Sequence, residues 1–399
     1  MMNGFKYKLK KVFSIFLCVI IAVNRSTLSV YATEGGENEI IDDPIIIVSL
    51  GDSYSSGEGI EPFYGQDEAL EDKVNNPDWI AHRSEYSWPS LLKIEGLDGV
   101  LGEHKADGHW YFVAASGAVT DNLLKFQKKE YNNKGIKVTK YLDPQLDVFN
   151  NFEKDTVDYV TFTFGGNDVG FSEIIETAAT NVRFINPRKL TDSLYKTWEE
   201  FYTNGGTKDN IRRAYENISD KAGANANIIV AGYPKLLYKN GSGVLFSKDQ
   251  AQEINLNVTK FNQAIEKIVD SCHENGMKIY FVSVEDAFDG HEAYTKDAYI
   301  NQVIMGSKSE DLARRVASAY SVHPNAKGAE AYASCVQAKI NEIQTGIVEE
   351  PKKENTESDG IHESIREKAE KEIEEAFERF EKMLEERLNQ WLTDNCGGC

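Results

Sequence analysis

One serine stands where an open α/β sheet would present a nucleophile. Ser53 lies in the small-residue turn 51–59, GDSYSSGEG, which directly follows the apolar run 44–50. That run is short, unbroken and rich in β-branched residues, which indicates a strand buried on both faces of a parallel sheet. Because ligands bind at the carboxyl ends of such strands, we predict that the Ser53 hydroxyl faces a crevice and acts as a nucleophile.

An activated serine needs a base within reach and hydrogen-bond donors aimed at the developing oxyanion. Three later stretches offer such groups, and each follows a predicted strand or opens the last predicted helix. Gly117 in ASGAVT lets a backbone N–H approach a ligand closely, and Asn167 in GGND can present a side-chain amide. His323 precedes a helix start and is the candidate base.

Five short apolar runs, separated by helical patterns, set the fold class. We predict a three-layer α/β/α domain with a five-stranded parallel, flavodoxin-like sheet. The predicted strands are 44–50, 110–114, 159–164, 227–232 and 278–284. The predicted helices are 86–94, 121–129, 191–201, 210–222, 250–275 and one running from Pro324 towards Ile343. The long segment 171–224 is either a lid over the crevice or extra helices packed at the sheet edge.

The N-terminus has the pattern of an export signal. Four lysines between positions 6 and 11 precede an apolar stretch at 12–23, and Val30-Tyr31-Ala32 is a plausible cleavage site. We therefore predict a signal peptide at 1–32, a leader at 33–43, a hydrolase domain at 44–345 and a secreted protein.

The C-terminus changes composition after this domain. Residues 346–360 are polar and are predicted to be a linker, and 361–394 carry one apolar stripe on a heavily charged helix. This helix could self-associate, dock on a partner or fold back on the domain. A CGGC tail occupies 395–399, and pairing of Cys272 with Cys335 is left open.

Charge restricts the classes of partner. The full chain has a formal net charge of −20, and removal of 1–32 deletes five cations and no acids. This acidity argues against nucleic acid, and against an anionic membrane surface, as the main partner. No histidine–acid cluster has metal-ligand spacing, so neither a metal nor a cofactor is predicted.

The order Ser, Gly, Asn, His, with the serine in Gly-Asp-Ser, resembles the SGNH hydrolase (GDSL-type lipase/esterase) family over residues 45–343. His-Arg-Ser at 82–84 and Gly-Tyr-Pro at 232–234 resemble its secreted lipase/esterase branch. The resemblance implies Ser53 as nucleophile and His323 as general base. It implies an oxyanion hole made by the backbone N–H groups of Ser53 and Gly117 and by the Asn167 side chain.

One position departs from the family pattern. The family usually places an aspartate three residues before its histidine, and Tyr320 stands there in this chain. Some members use a main-chain carbonyl instead, so the Tyr320 carbonyl is predicted to orient His323. Such a dyad stabilises the imidazolium less than a triad would.

The sequence therefore predicts a secreted serine esterase that cleaves carboxylic esters of a lipid or an acylated glycan through an acyl-enzyme on Ser53. One alternative is a deacetylase of a glycan or cell-surface polymer. A non-enzymatic alternative is a phosphate-binding module built on the turn 51–59. That turn contains Asp52 and Glu58 and no lysine or arginine, which disfavours an anionic ligand.

Overall fold

The structure is a computed structural model that describes residues 44–133, 135–171, 188–242, 245–313 and 316–346. The predicted signal peptide 1–32, the leader 33–43, the linker beyond residue 346, the amphipathic helix 361–394 and the CGGC tail 395–399 lie outside the described residues.

Parallel pairing of five strands forms the central sheet, as predicted. The strands within the described ranges are β1 Ile47–Ser49, β2 Trp110–Phe112, β3 Gln127–Asn133, β4 Ile136–Leu142, β5 Tyr159–Phe162, β6 Asn227–Ala231 and β7 Ile279–Val282. The main sheet has the order β2-β1-β5-β6-β7, and every neighbouring pair in it is parallel. This is the flavodoxin-like order, which leaves a crevice at the carboxyl ends of β1 and β5.

Helices flank the sheet. Within the described part of the chain they are α1 Ser53–Ser56, α2 Leu70–Lys73, α3 Pro77–Ile80, α4 Arg188–Tyr202, α5 Thr207–Ala222, α6 Lys248–Glu274, α7 Glu285–Phe288 and α8 Ala326–Thr345. The helices predicted at 191–201, 210–222, 250–275 and 324–343 are confirmed as α4, α5, α6 and α8, with ends shifted by a few residues.

Two helix predictions are wrong. At 121–129 a 3₁₀ turn spans Thr120–Leu123, and the chain then enters an antiparallel hairpin made by β3 and β4. Burial alternates along β3, with Gln127 and Lys129 inside and Lys128 outside, which is a strand period of two. At 86–94 only a 3₁₀ turn, Trp88–Leu91, is present.

The described part of 171–224 consists of helices packed on the sheet's helical layer. The indole N–H of Trp198 in α4 donates to Asn257 Oδ1 of α6 at 2.6 Å, and Ile211 and Tyr215 of α5 are fully buried. A lid role for this segment stays a prediction.

The pairing of Cys272 with Cys335, which the sequence left open, is absent, and both are free thiols. In the ranges that the structure describes, no helix is long and apolar enough to cross a membrane.

Candidate active site

The two residues before Ser53, Gly51 and Asp52, determine the shape of the turn that carries it. The Asp52 side chain caps α1 by accepting the Tyr54 N–H at 3.0 Å, as expected of an N-terminal aspartate. Gly51 has a φ of +123°, and a Cβ built there would lie 2.6 Å from the Thr163 carbonyl oxygen. Only glycine fits that backbone and that space. The turn therefore places Ser53 at the end of β1, where the sequence predicted it.

Ser53 and His323 meet across the crevice. Ser53 Oγ lies 2.8 Å from His323 Nε2, and His323 Nδ1 lies 3.0 Å from the Ser321 carbonyl oxygen. Because a carbonyl oxygen only accepts, Nδ1 carries the hydrogen, and Nε2 of the neutral ring accepts the Ser53 hydroxyl. This is the arrangement of a serine nucleophile with its general base.

The carbonyl that orients His323 differs by one residue from the prediction. The Tyr320 carbonyl instead accepts the backbone N–H of His323 at 3.4 Å. Val322 has a φ of +56°, and this left-handed conformation folds the chain so that the Ser321 carbonyl lies beside the ring. Sequence reasoning had no signal for this backbone conformation, because a β-branched residue rarely adopts it.

Hydrogen bonds hold the strained loop from two sides. Tyr54 Oη donates to the Val322 carbonyl at 2.7 Å, and the Val322 N–H donates to the Asn301 carbonyl at 3.1 Å. The Tyr54 ring also lies 5.0 Å, centroid to centroid, from the His323 ring. Strain of this kind persists only where surrounding structure enforces it, and here it fixes the position of His323.

The Gly117 and Asn167 turns lie next to each other. Asn167 Nδ2 donates to the Ala118 carbonyl at 2.9 Å. The Asp168 carboxylate accepts the Thr120 N–H at 3.1 Å and the Thr120 hydroxyl at 2.5 Å. Asn167 lines one pocket together with Ser53 and a second pocket together with Gly117. Together with the contact between Ser53 and His323, these shared pockets show that the four residues singled out by the sequence are neighbours.

Asp52 does more than cap α1. Its carboxylate also accepts from Thr163 Oγ1 at 2.7 Å and from Tyr233 Oη at 2.5 Å, and Tyr233 Oη accepts the Gly166 N–H at 3.0 Å. Burial raises the pKa of Asp52 to about 6 although these hydrogen bonds lower it. The hydrogen-bonded chain Asp52–Tyr233–Gly166 links the turn 51–59, called the nucleophile turn because it carries Ser53, to the turn that carries Asn167. Sequence reasoning assigned Tyr233 no role.

A buried contact joins Glu58, which belongs to the turn 51–59, to the imidazole of His82. Both carboxylate oxygens of Glu58 contact His82 Nδ1, at 2.8 and 3.0 Å, and the His82 ring stacks on Phe63 at 4.5 Å. Burial acts to raise the pKa of Glu58, but the charge and hydrogen bond of His82, with smaller effects of His323 and Ser116, lower it to about 2. The sequence gives no signal for this pair, because 24 positions separate the two residues.

Two pockets of different polarity meet at Asn167. The pocket beside Ser53 has an apolar wall made by Phe171, Tyr233, Leu236 and Val258. The groove beside Gly117 has a polar wall, which includes Asp168, Thr197, Glu200 and Thr207. Among the described residues, no group of three His, Cys, Asp or Glu could hold a metal ion.

The chain is similar to known proteins in sequence and in fold. Residues 49–331 match the model of the GDSL-like Lipase/Acylhydrolase family. An esterase of Streptomyces scabiei is 22% identical over 347 residues, which cover 80% of this chain and 92% of that protein. A lipase of Streptomyces rimosus is 23% identical over 282 residues, covering 70% of this chain and 81% of that protein. The crystal structure of the extracellular lipase from Streptomyces rimosus superposes with a TM-score of 0.51 at 23% identity, covering 75% of this chain and 99% of that one.

Proposed function

Since the chain belongs to the GDSL-like lipase/acylhydrolase family of ester hydrolases, we propose that it cleaves carboxylic esters through an acyl-enzyme on Ser53, with His323 as general base. The observation that carries the proposal is the 2.8 Å contact between Ser53 Oγ and His323 Nε2. The Ser321 carbonyl supports it, because it keeps the hydrogen on Nδ1 and leaves Nε2 to accept.

In the acylation step, Ser53 Oγ forms a bond to the ester carbonyl carbon while its proton passes to His323 Nε2. The backbone N–H groups of Ser53 and Gly117 and the Asn167 side chain would donate to the negative oxygen of the tetrahedral intermediate. The bond from carbon to the alcohol oxygen then breaks, and the leaving oxygen takes the proton from Nε2. This leaves an ester on Ser53 and releases the alcohol.

Deacylation repeats the cycle with water. His323 Nε2 takes a proton from a water molecule as the water oxygen attacks the acyl carbon, and it returns that proton to Ser53 Oγ as the acid leaves. The transient imidazolium faces a neutral carbonyl at Nδ1 rather than an aspartate. The charge of His323 contributes to the low pKa of Glu58, so the Glu58 carboxylate stabilises a positive His323 in return.

The two pockets suggest how the substrate lies. The acyl group would enter the apolar pocket beside Ser53, against Phe171, Leu236 and Val258. The alcohol part would lie in the polar groove beside Gly117. Esters that join a short apolar acyl group to a polar alcohol fit this division, because the pocket beside Ser53 has a cavity volume of only about 20 Å³.

Labelling with a fluorophosphonate probe tests the mechanism. The wild-type protein is expected to label on one serine, and Ser53→Ala and His323→Ala are expected to lose both labelling and ester hydrolysis. His273→Ala is the matched control, because His273 is exposed at the end of α6. Full labelling of Ser53→Ala would contradict the proposal.

A second candidate activity is deacetylation of a glycan or cell-surface polymer. Thr197, Glu200 and Thr207 give the groove beside Gly117 hydrogen-bonding groups suited to sugar hydroxyls. Nitrophenyl esters of increasing chain length, assayed against acetylated oligosaccharides, separate the two activities. An optimum at acyl chains of several carbons supports the lipid-like substrate, and a preference for acetylated sugars supports the deacetylase.

The phosphate-binding alternative gains no support at the nucleophile turn. The carboxylates of Asp52 and Glu58 are both buried beside Ser53, where they repel an anion. Phosphate binding by a protein whose Ser53 does not react with the probe would favour that alternative.

We also propose that the protein is secreted. The lysine-rich start and the apolar run 12–23 support export, and the relative from Streptomyces rimosus is described as extracellular. Recovery of the protein from the culture medium with a new N-terminus after Ala32, read by mass spectrometry, is the expected result. A chain that keeps its first 32 residues would contradict it.

A further inference from the structure

The carbonyl of Ser116 receives two hydrogen bonds from a hairpin outside the main sheet. Lys129 Nζ donates to it at 2.7 Å, and Gln127 Nε2 donates at 2.9 Å. Both donors lie on β3, and both side chains are buried, with 9% and 8% exposure. Burial of a lysine ammonium group is unfavourable, and the hydrogen bond to the Ser116 carbonyl offsets part of that cost. A buried lysine at this position therefore indicates a specific role for the contact.

The same peptide unit carries the Gly117 N–H. The Ala118 N–H donates to the Ala115 carbonyl at 3.0 Å, so Ser116 and Gly117 are the central residues of a turn, and Gly117 has a φ of +72°. In a trans peptide the C=O and N–H point in opposite directions. Because the Ser116 carbonyl faces β3, the Gly117 N–H faces away from β3. Gly117 lines the groove that it shares with Asn167.

The orientation of the Gln127 amide also depends on this contact. Its Oε1 is buried and has no hydrogen-bond partner within the described residues, although its Nε2 contacts the Ser116 carbonyl. A buried polar atom without a partner is destabilising. Reversal of the amide would place Oε1 against the Ser116 carbonyl oxygen, so the carbonyl fixes the orientation of this side chain.

We propose that Lys129, assisted by Gln127, is a positioning residue of the oxyanion hole, and this inference rests on the proposed function. A hydrogen bond from a cation to a peptide carbonyl polarises the whole amide, which makes its N–H a stronger donor. The contact also fixes the rotation of the turn. Lys129 therefore strengthens and aims the Gly117 N–H at the substrate oxygen without touching the substrate.

The test compares Lys129→Met with Lys128→Met. Lys128 is the matched control, because it is the neighbouring lysine, is exposed and pairs only with the exposed Glu130 at 2.6 Å among the contacts described for it. Loss of a direct oxyanion donor slows catalysis roughly 10²–10³-fold, so loss of its polarising partner is expected to lower kcat about tenfold or more, with little change in KM. Lys128→Met is expected to match the wild type.

A trifluoromethyl ketone supplies a readout that a purely structural role would not change. It adds reversibly to the serine oxygen and places a negative oxygen in the hole. Its inhibition constant is expected to rise for Lys129→Met by the same factor by which kcat falls, and Lys129→Arg is expected to restore much of both. A folded Lys129→Met with unchanged kcat, or with reduced kcat and unchanged ketone affinity, overturns the inference.

Two further measurements keep the outcome clear. If Lys129→Met does not fold, Gln127→Leu carries the test, and unchanged kcat and ketone affinity in that folded variant overturn the inference. Ser53→Ala separates the two proposals. If it retains hydrolysis, the proposed function fails; if it loses hydrolysis while Lys129→Met keeps the wild-type kcat, only the role of Lys129 fails.

Discussion

The phenol hydroxyl of Tyr233 lies 2.5 Å from the carboxylate of Asp52, the residue directly before Ser53, although 181 positions separate them in the chain. The same hydroxyl accepts the N–H of Gly166, the residue directly before Asn167. Through these two hydrogen bonds Tyr233, which follows β6, fixes the distance between the turn that carries Ser53 and the turn that carries Asn167. Catalytic geometry depends on this spacing, because a displacement of about 1 Å can slow a reaction roughly 10²-fold.

Replacement of Tyr233 by phenylalanine tests this link. Tyr233→Phe removes the donor to Asp52 and the acceptor of the Gly166 N–H while it keeps the ring. We expect kcat to fall about tenfold or more with a smaller change in KM, since the alignment of the two turns is lost. Steady-state kinetics on a short-chain ester measure this. Tyr86→Phe, at an exposed tyrosine, is the control, and equal kinetics for the two variants would contradict the prediction.

Asp52 is expected to make stability depend on pH. Burial raises its pKa from 3.8 to about 6, so folding favours the protonated form. The contribution to stability is fully present below pH 3.8 and is lost as the pH rises through 6. A shift of about two pKa units corresponds to about 3 kcal/mol.

Urea unfolding between pH 4 and pH 7.5 measures this contribution. The difference in unfolding free energy between wild type and Asp52→Asn is expected to move by about 2 kcal/mol against the wild type over this pH range, because part of the full contribution is already lost at pH 4. Asp147→Asn, on an exposed residue of the 3₁₀ turn Gln145–Asn151, is the control. A constant difference between wild type and Asp52→Asn across this range would show that Asp52 is not protonated on folding.

The sequence predicted the parts of the site that local pattern determines. Ser53, Gly117 and Asn167 each follow a predicted strand in a turn that contains glycine, and His323 precedes a helix start. These four candidates could therefore be named from short segments of sequence alone. The five buried strands were predicted for the same reason, since a continuous apolar run is a local signal.

Features that depend on contacts between distant segments could not be predicted. The contacts Glu58–His82 and Asp52–Tyr233 join residues 24 and 181 positions apart, and no spacing rule connects them. The β3–β4 hairpin was missed because its buried face carries Gln127 and Lys129, so its period of two is not hydrophobic. The Ser321 carbonyl was missed because the left-handed backbone at Val322 comes from tertiary contacts.

The Glu58–His82 pair is expected to be important for folding. Glu58→Gln leaves His82 buried without its carboxylate, and removal of one partner from a buried pair typically costs about 3–5 kcal/mol. We expect a clear drop in urea midpoint at pH 7. Glu130→Gln, which breaks the exposed Lys128–Glu130 pair, is the control and is expected to leave the midpoint unchanged.

The loss of stability in Glu58→Gln is expected to depend on pH, and this dependence gives an independent check of the contact between Glu58 and His82. Burial acts to raise the pKa of Glu58, but His82 and the other partners bring it down to about 2. The stabilisation by Glu58 is therefore present above its ordinary value of 4.5 and is lost as the pH falls towards 2. The gap between wild type and Glu58→Gln should narrow on acidification, and a gap that widens below pH 4 would rule out a charged Glu58.

Asn167 offers the sharpest test of the proposed oxyanion hole. Asn167 Nδ2 donates to the Ala118 carbonyl at 2.9 Å, which holds the side chain beside the turn that carries Gly117. If the Asn167 amide donates to the substrate oxygen, Asn167→Ala should lower kcat roughly 10²–10³-fold and change KM little, because the donation strengthens in the transition state. Asn275→Ala, at the exposed end of α6, is the control. A folded Asn167→Ala with a raised KM and an intact kcat would assign the side chain to substrate binding alone and leave the hole to the backbone N–H groups.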